Sequence, residues 1–510
     1  MTDLYPTATS ANTSGFREEA VELAALSWFE LIGWRTVPGD YLAPDGPMGA
    51  RATYKQVVLE PELRNALATL NPDATPSMIE AAVRIVLATA SQDVMENNRV
   101  FHPLLASGVP VEVNRDGESR TVGLRLLERA DPSANRLLVA NQFIIQGERD
   151  TVRADVIVFV NGLPLGLLEL KSPADAQATL ERAYTQLRNY RTKAPELMRF
   201  NQILIISDGV QARIGPLTAG FDRFAPWRTI DGSELDDTGR SELEVMIRGV
   251  FAPERFLDLI VDYIAFELID GVVKSKKLAG YHQFHAVRKA LTSTVDAAGV
   301  GGQRKGGVIW HTQGSGKSLT MLFFVRQLQL AKALKNPTIV LITDRNDLDE
   351  QLFGTFNAHI SALRGNPEQA DSAADMRRLL RVDIGGLVFT AIQKFRGEDG
   401  EHPLLTARNN VIVIADEAHR TQYGFKKRYV VSDGGVREQV GFAEYLRQAL
   451  PNATFVGFTG TPIEIKDRDT RGVFGDIIDT YDMTQAVADH ATVPIHYAAR
   501  LAKLRLDLSD

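Results

Sequence analysis

The sequence contains no cysteine among its 510 residues, which excludes a disulfide framework and a cysteine-based zinc site. No uninterrupted apolar run is long enough to span a bilayer, so no membrane segment is predicted. Residues 1–15 are rich in Thr, Ser and Asn, and they lack the basic patch and apolar core of a secretory signal. A reducing cytoplasm fits these absences. The sequence therefore predicts a cytoplasmic chain with a disordered tail over residues 1–15.

The chain has fewer basic than acidic residues: 57 Lys and Arg against 64 Asp and Glu, which gives a net charge of −7. This balance argues against a chain that coats nucleic acid indiscriminately. Any contact with DNA must then use a local basic surface, such as residues 274–277 or Arg304 with Lys305. The hydrophobic share of 44% and the charged share of 24% are those of an ordinary soluble protein. The length allows two to four domains.

Residues 306–318 read Gly-Gly-Val-Ile-Trp-His-Thr-Gln-Gly-Ser-Gly-Lys-Ser, an apolar strand followed by a glycine-rich loop and then a helical pattern. Strand, loop and helix are the context that a phosphate-binding loop requires. Backbone N–H groups of the loop would close around phosphates at the helix N-terminus. His311 stands where the first glycine is expected, but residues 314–318 keep the tight part of the loop. The stretch predicts a nucleoside triphosphate site.

The roles within this loop follow from the chemistry of its residue types. Lys317 would reach the β- and γ-phosphates, and Ser318 would ligate Mg²⁺. The remaining predicted nucleotide contacts of the loop are Thr312, Gly314, Ser315 and Gly316. We expect ATP as the nucleotide and Mg²⁺ as the accompanying ion.

From Leu278 onwards strands alternate with helices, which predicts a doubly wound parallel sheet. Ligands of such sheets bind at the carboxyl ends of the strands. Each predicted strand ends in polar residues, and five such ends in register are not chance. The predicted strands are Gly307 to Trp310, Thr338 to Ile342, Leu387 to Thr390, Val411 to Ile414 and Thr454 to Phe458.

The strand that leads into Asp416 and Glu417 gives the second nucleotide motif. Asp416 would hold Mg²⁺ through water, and Glu417 would activate the hydrolytic water. His419 is predicted to couple the nucleotide to the loop that contains Thr459 and Thr461. A structural role for this single histidine stays open.

Gln283 precedes the phosphate loop by one helix, where a glutamine that reads adenine would sit. From the sequence alone, a glutamine that is merely exposed at the surface explains this position nearly as well as one that reads adenine.

Residues 153–171 predict a β-hairpin that turns at Asn161-Gly162. Glu169 and Lys171 point the same way from an otherwise apolar strand, because residues two apart share a face. The hairpin can bring Asp155 close to Glu169. Two carboxylates that hold Mg²⁺ and a lysine that positions water suit phosphodiester hydrolysis. An edge-strand salt bridge explains the same spacing, and both interpretations stay open at this point.

Two further elements flank the hairpin. Pro173 is predicted to open a helix on which Gln186 and Tyr190, four apart, share a face and could contact the DNA backbone or simply pack. Near the N-terminus, an apolar stripe predicts a helix from Phe16 to Trp34. Glu18 and Glu19 lie in its early turns, and we interpret them as complementing the helix dipole.

Together these residues closely resemble the restriction (motor) subunits of type I restriction–modification enzymes. The similarity covers nearly the whole chain, and its combined motifs are highly specific. The motifs that carry it are residues 141–143, 160–165, 169–171, 311–318, 343–349, 416–424, 458–462 and 486–495.

The resemblance implies an α/β protein in which a PD-(D/E)xK-type nuclease is followed by a RecA-like, doubly wound parallel-sheet domain of superfamily 2. It implies that Asp155, Glu169 and Lys171 are catalytic, and that Gln186 and Tyr190 form the family's Q-x-x-x-Y element. It also gives Glu22 the place of a family acidic residue on the first helix, and Gln283 the adenine contact. Ala154 replaces the usual proline before Asp155, without changing the metal ligand.

The implied domain organisation is a nuclease over 16–235, a linker over 236–277, a first RecA-like domain over 278–484 and a lead-in over 485–510. Motors of this class need a second RecA-like domain, and residues up to Asp510 do not show its arginine motif. We therefore expect ATP binding by this chain, with efficient hydrolysis and translocation depending on more than it contains. The implied partners are double-stranded DNA and the methyltransferase and specificity subunits of one complex.

Two other functions fit part of the pattern. A non-nucleolytic ATPase whose N-terminal third only clamps DNA or a partner would not need Glu169 or Lys171. An RNA helicase of the DEAH type shares the motor motifs but has no use for a cluster of Asp155, Glu169 and Lys171. Preference for duplex DNA over RNA would separate the helicase from the ATPase.

Overall fold

A computed structural model gives the fold of the chain. It describes residues 11–115, 118–148, 150–173, 179–344, 346–381, 385–391, 404–418, 428–432, 435–439, 447–461 and 468–493. His419 and Pro462 lie outside the described residues, as do residues 494–510 of the predicted lead-in.

The strands of the described part are, in chain order, β1 Arg35–Pro38, β2 Val109–Arg115, β3 Glu118–Leu124, β4 Leu137–Gln146, β5 Thr151–Val160, β6 Leu163–Leu170, β7 Ile203–Ser207, β8 Ala212–Gly215, β9 Ile264–Ile269, β10 Val272–Leu278, β11 Lys305–His311, β12 Thr338–Thr343, β13 Pro367–Gln369, β14 Leu387–Ala391, β15 Val411–Ala415, β16 Arg428–Ser432, β17 Gly435–Gln439, β18 Thr454–Thr459 and β19 Ile477–Tyr481.

The helices of the described part are, in chain order, α1 Ala11–Leu31, α2 Glu60–Leu70, α3 Pro76–Leu87, α4 Val94–Ser107, α5 Leu180–Lys193, α6 Pro195–Phe200, α7 Glu242–Val250, α8 Pro253–Asp262, α9 Tyr281–Ala298, α10 Lys317–Leu330, α11 Asn346–Ala358, α12 Ala373–Leu379, α13 Arg468–Phe474 and α14 Met483–Ala488. No described helix is long and apolar enough to cross a membrane.

The first half of the chain is built on a mixed six-stranded sheet with the order β1-β4-β5-β6-β7-β8. Strands β5 and β6 form the predicted hairpin, and the turn residues Asn161 and Gly162 have φ angles of 53° and 80°. Positive φ at both positions is what a two-residue hairpin turn requires. Both faces of β6 are buried, so its polar side chains sit in the protein interior rather than at an exposed edge.

The second half is built on a seven-stranded parallel sheet with the order β13-β14-β12-β15-β18-β11-β19. All five strands that the sequence predicted in this region are present in it, four of them longer by one residue and β11 longer by three. Alternate residues of β12 face two separate apolar clusters, with Ile339 and Leu341 in one and Val340 and Ile342 in the other. Burial on both faces explains why the parallel strands read as continuous apolar runs.

One apolar cluster runs from α1 to α14 and joins the two sheets. The chain between them contributes to this cluster, because α7, α8 and the β9–β10 hairpin place buried residues in it. Residues 236–277, which we expected to form a linker, are therefore structured and packed. The polar composition that suggested a linker ends at Ser241, where α7 begins after a serine N-cap.

Two further expectations about helices need correction. The helix that carries Gln186 and Tyr190 does not open at Pro173, because α5 begins at Leu180 with Thr179 as its N-cap. The first helix begins at Ala11, so residues 11–15 of the expected tail are helical.

Candidate functional site

The register of the hairpin brings the predicted carboxylates together. Val156 pairs with Leu168, which places Asp155 directly opposite Glu169 one step further along the ladder. The Leu170 backbone N–H donates to Oδ2 of Asp155 at 2.8 Å, which fixes that carboxylate against β6. Asp155 is 6% exposed and Glu169 is fully buried. Two acidic side chains therefore face each other inside an apolar sheet.

Lys171 closes this cluster. Its Nζ lies 2.5 Å from Oε1 of Glu169, 3.6 Å from Oδ2 of Asp155 and 3.1 Å from Oε1 of Glu18. Burial alone lowers the pKa of the Lys171 ammonium, but Glu169 and Asp155 outweigh burial and raise it. Burial, followed by the charge of Asp155, raises the pKa of Glu169 well above its usual range. The cluster thus holds the Lys171 ammonium against Glu169, whose charged form is disfavoured by burial and by the neighbouring carboxylate.

Glu22 of α1 is a further acidic member of the cluster. It is 3% exposed and accepts hydrogen bonds from Nδ2 of Asn141 at 3.1 Å and from Nε2 of Gln142. Burial raises the pKa of Glu22 to about 7, with Asp155 adding to the effect and the Asn141 and Gln142 hydrogen bonds opposing it. The structure thus places Glu22 close enough to Asp155 for their charges to interact, and a catalytic role for Glu22 stays a prediction.

The raised pKa of Glu22 predicts a pH-dependent stability. A carboxyl with a folded pKa of about 7 and an ordinary value of 4.5 favours folding below about pH 4.5, and the benefit is lost as pH rises through 7. Glu22→Gln removes this loss, so its free energy of unfolding relative to wild type should rise by about 2 kcal/mol between pH 5 and pH 8. Denaturant unfolding without Mg²⁺ measures it. Glu19→Gln, an exposed change on the same helix, should show no such rise.

Gln186 and Tyr190 share one face of α5, as predicted, and they contact each other. Nε2 of Gln186 donates to the Tyr190 hydroxyl at 2.9 Å, and that hydroxyl donates to the backbone oxygen of Arg153 at 2.8 Å. Burial and then the charge of Glu169 raise the pKa of Tyr190. The pair therefore braces the strand next to Asp155.

Sequence reasoning gave the wrong role to one residue of this site, Glu18, and gave no role to another, Gln142, although Gln142 lies in the motif 141–143. Glu18 does not complement a helix dipole, because α1 begins seven residues earlier and Glu18 binds Lys171 instead. Gln142 has a φ of 53° within β4, a strained conformation for a residue with a side chain. Strain of this kind has no local sequence signal, and the partner of Glu18 is 153 residues away.

The donor set fits Mg²⁺. Oε2 of Glu169 is buried and has no hydrogen-bond partner among the described residues, and Asp155 offers carboxylate oxygen beside it. No group of three or more His, Cys, Asp or Glu side chains in the described part is arranged to hold a metal ion. Mg²⁺ commonly takes one or two carboxylates and completes its shell with water and phosphate oxygen. Asp155 and Glu169 suffice for such a site.

The predicted phosphate loop lies between the end of β11 and the start of α10. Gly314 and Gly316 have φ angles of 86° and 80°, which L side chains rarely adopt. The hydroxyl of Ser315 is buried without a hydrogen-bond partner among the described residues. Nζ of Lys317 lies 3.3 Å from the backbone oxygen of His311, across the loop. The loop has the shape and the donors of a phosphate cradle.

The neighbouring strands bring the other predicted nucleotide residues to the same sheet edge. Strand β18 lies between β11 and β15, so its last residue, Thr459, lies beside both the loop and Asp416. The Thr459 hydroxyl accepts from the N–H of Thr461 at 3.2 Å. The Glu417 N–H donates to Oδ1 of Asp416 at 2.9 Å, and Glu417 has a φ of 49°. Half-buried Ser318 lies in the first turn of α10.

Gln283 reaches the loop through backbone contacts. Its Nε2 donates to the oxygen of Gly316 at 3.1 Å, and its Oε1 accepts from the N–H of Gly280 at 3.0 Å. A methyl group on Gly316 would lie 2.8 Å from that Nε2. The structure therefore places Gln283 against the phosphate loop, and contact with adenine stays a prediction. The backbone N–H of Thr312 donates to the backbone oxygen of Tyr481 at 2.9 Å.

Comparison with known families defines the class of each half. The family model described as SWI2/SNF2 ATPase matches residues 282–510. The family model described as the N terminus of the type I restriction enzyme R protein matches residues 15–223. The phosphate loop lies in the first of these matches, and the buried carboxylate cluster lies in the second.

Three relatives extend this result over nearly the whole chain. The chain is 42% identical over 489 residues to the type I restriction enzyme HindI endonuclease subunit of Haemophilus influenzae, covering 94% of this chain and 46% of that protein. It is 33% identical over 510 residues to a proposed type I restriction enzyme subunit, MjaIXP, of Methanocaldococcus jannaschii, covering 95% and 46%. It is 26% identical over 417 residues to the SauCOLORF180P endonuclease subunit of Staphylococcus aureus, covering 80% and 40%.

The chain belongs to the family of type I restriction enzyme R subunits and corresponds to their N-terminal part, which confirms the resemblance that the motifs indicated. It spans about half the length of the curated relatives it matches.

Proposed function

We propose that the chain is an ATP- and Mg²⁺-dependent DNA endonuclease/translocase subunit that cleaves double-stranded DNA after ATP-driven translocation. The observation that carries the nuclease half is the buried cluster of Asp155, Glu169 and Lys171 on facing strands. A buried salt bridge is weak support for stability, because desolvation offsets its attraction. A catalytic role explains three buried charged groups in one sheet better than a contribution to the stability of the fold does.

Each residue of the cluster has a proposed role in a PD-(D/E)xK-type site. Asp155 and Glu169 would hold Mg²⁺, which when bound would stabilise the charge that develops on the scissile phosphate. Lys171 would position the attacking water, since its ammonium already lies between the two carboxylates. Gln186 and Tyr190 would keep the strand of Asp155 in place, and Glu22 would accept or release a proton near neutral pH.

The nucleotide half follows from the loop and its neighbours. Backbone groups of residues 312–316 would bind ATP phosphates, with Lys317 at the β- and γ-phosphates. Ser318 and Asp416 would hold the accompanying Mg²⁺, and Glu417 would activate the hydrolytic water. Thr459, Thr461 and His419 would link nucleotide state to the rest of the motor, and Gln283 would contact adenine.

The relatives are named as subunits of type I restriction enzymes, and we propose the same setting for this chain. Methyltransferase and specificity subunits would be its partners, and DNA sequence would be read by them. We further propose a nuclease domain over 16–235 and a first RecA-like domain over 278–484, joined by the packed segment 236–277. A cytoplasmic location stays a prediction.

Cleavage of closed-circular plasmid in Mg²⁺ tests this function. The chain is mixed with its methyltransferase and specificity partners, with and without ATP. We expect cleavage that requires ATP when a second RecA-like motor domain is also present in the mixture. Cleavage of equal rate without ATP would contradict the translocation step, and ATP turnover without any cleavage would favour the non-nucleolytic ATPase. Stimulation by RNA rather than duplex DNA would favour a helicase.

A further inference from the structure

Asp489, which follows α14, is a buried carboxylate that three other parts of the chain contact. Oδ1 accepts from Nε of Arg228 at 2.8 Å, and Oδ2 accepts from the hydroxyls of Tyr281 at 2.7 Å and Tyr481 at 2.9 Å. Arg228 also donates to the backbone oxygen of Ala488 at 3.0 Å. The carboxylate is 5% exposed in its side chain, so these donors replace water. We call Asp489, Arg228, Tyr281 and Tyr481 the Asp489 hub.

The hub is connected to the six-stranded sheet through Arg228. NH1 of Arg228 lies 3.0 Å from Oε1 of Glu242 in α7. The other oxygen of Glu242 pairs with Arg213 of β8 and accepts from the backbone N–H of Ala212 at 3.1 Å. Strand β8 pairs with β7, and β7 pairs with β6, the strand of Glu169. An unbroken series of polar contacts thus reaches the sheet that carries the carboxylate cluster.

The hub is connected to the phosphate loop through Tyr481. The Tyr481 ring stacks on the His282 ring with centroids 4.0 Å apart and planes 9° apart. Nε2 of His282 is 3.1 Å from the backbone oxygen of Ser315. Burial and then His311 lower the pKa of His282 to about 4, so the neutral ring must carry its proton on Nε2 to make this bond. His282 therefore contacts the backbone of the loop at Ser315.

The residues after Asp489 also lie near the loop. The hydroxyl oxygen of Thr492 lies 3.6 Å from the position of a Cβ on Gly314, and the backbone oxygen of Ala491 lies 4.0 Å from it. Asp489 is therefore linked to two features next to the loop: to the His282 ring through Tyr481, and to residues 491–492 along the chain.

We propose that Asp489 and Arg228 are positioning residues of the phosphate loop, through which nucleotide binding and the six-stranded sheet are energetically coupled. Nucleotide binding orders the loop, and a hub that already holds His282 and residues 491–492 lowers the cost of that ordering. By reciprocity, a bound nucleotide strengthens the contact between Arg228 and Asp489 and tightens α7 and β8. This inference rests on the proposed binding of nucleotide at the loop.

Arg228→Gln tests the coupling, because Arg228 touches neither the loop nor the carboxylate cluster. We expect the Kd of a fluorescent adenine nucleotide with Mg²⁺ to rise about tenfold, a typical size for coupling between sites. Arg240→Gln is the matched control, since Arg240 pairs with Asp236 and Glu244 of its own segment and makes no contact with the hub. The control should bind nucleotide as wild type does.

A double-variant comparison separates coupling from general damage. Asp489→Asn should weaken nucleotide binding by a similar factor, and the double variant with Arg228→Gln should be no more than about twofold worse than either single change. Hydrogen exchange supplies a second measurement. Nucleotide should slow amide exchange in residues 212–215 and 242–250 of wild type, but not of Arg228→Gln.

The outcomes distinguish the two levels of the proposal. If wild type binds no nucleotide, the proposed function of the loop is overturned, and this inference with it. If wild type binds nucleotide and Arg228→Gln binds equally well, the loop assignment stands and the positioning role is overturned. A third outcome concerns the sheet. If Arg228→Gln binds nucleotide more weakly, but nucleotide does not slow amide exchange in residues 212–215 and 242–250 of wild type, the coupling to the sheet is overturned.

Discussion

Lys171→Ala should reduce DNA cleavage by at least about 100-fold while leaving ATP binding unchanged. The ammonium of Lys171 is within 3.6 Å of both carboxylates that would hold Mg²⁺, so it is placed to orient water at the scissile phosphate. The phosphate loop follows a strand of the other sheet, so ATP binding should not depend on Lys171. Plasmid cleavage with the partner subunits, Mg²⁺ and ATP measures the first effect, and titration with a fluorescent adenine nucleotide measures the second.

The same substitution has a stability cost that must be separated from catalysis. Removing one partner of a buried ion pair costs roughly 3–5 kcal/mol when the other charge is left uncompensated. Glu169 can escape most of this cost by taking up a proton, because its pKa is already raised by burial and by Asp155. The loss of unfolding free energy should therefore grow as pH rises, and it should be small near pH 5.

Lys193→Ala is the control for this experiment. Lys193 is the last residue of α5, and its ammonium lies 3.6 Å from the exposed carboxylate of Asp150. Exposed pairs of this kind contribute about 0–1 kcal/mol, so cleavage and stability should both stay near wild type. Undiminished cleavage by a folded Lys171→Ala protein would remove the nuclease proposal and leave the cluster as a buried salt bridge.

Most strands of the parallel sheet could be predicted because each is recognisable from the pattern of a few consecutive residues. Strands buried on both faces are continuous apolar runs, and their carboxyl ends must carry the polar residues that meet a ligand. β11, β12, β14, β15 and β18 all have this form. The edge strands β13 and β19 were not predicted, since each is short and partly exposed and so lacks the pattern.

The contacts between distant parts of the chain could not be predicted in the same way. Glu18 meets Lys171 across 153 residues, and Arg228 meets Asp489 across 261 residues. Each of these residues, read alone, is an ordinary charged side chain with an acceptable place on a surface. Only the packing of α1 on the six-stranded sheet, and of the residue after α14 against Arg228 and Tyr281, gives them partners. The resemblance supplied the proposed roles of Asp155 and Glu169, and the structure supplied the distance of each carboxylate from the Lys171 ammonium.

Lys317→Ala should abolish ATP-dependent cleavage and reduce nucleotide affinity, with little change in folding. Nζ of Lys317 has one contact within hydrogen-bond distance in the described part, the backbone oxygen of His311 at 3.3 Å. An ammonium with so weak a partner contributes little to stability, so the free energy of unfolding should change by less than about 1 kcal/mol. Its position across the loop instead suits the β- and γ-phosphates, where loss of a preorganised positive charge costs on the order of 10²–10³ in rate.

Lys332→Ala is the matched control for Lys317→Ala, because Lys332 is an exposed lysine just beyond the far end of α10. It should bind nucleotide and support cleavage as wild type does. Gly460 sharpens the comparison, since a Cβ there would lie 3.0 Å from Nζ of Lys317. Gly460→Ala should therefore weaken nucleotide binding by displacing the ammonium that Lys317→Ala removes, and the two changes together should be no worse than Lys317→Ala alone. ATP-dependent cleavage by a folded Lys317→Ala protein would show that the triphosphate is bound elsewhere, and the assignment of residues 312–318 would then be wrong.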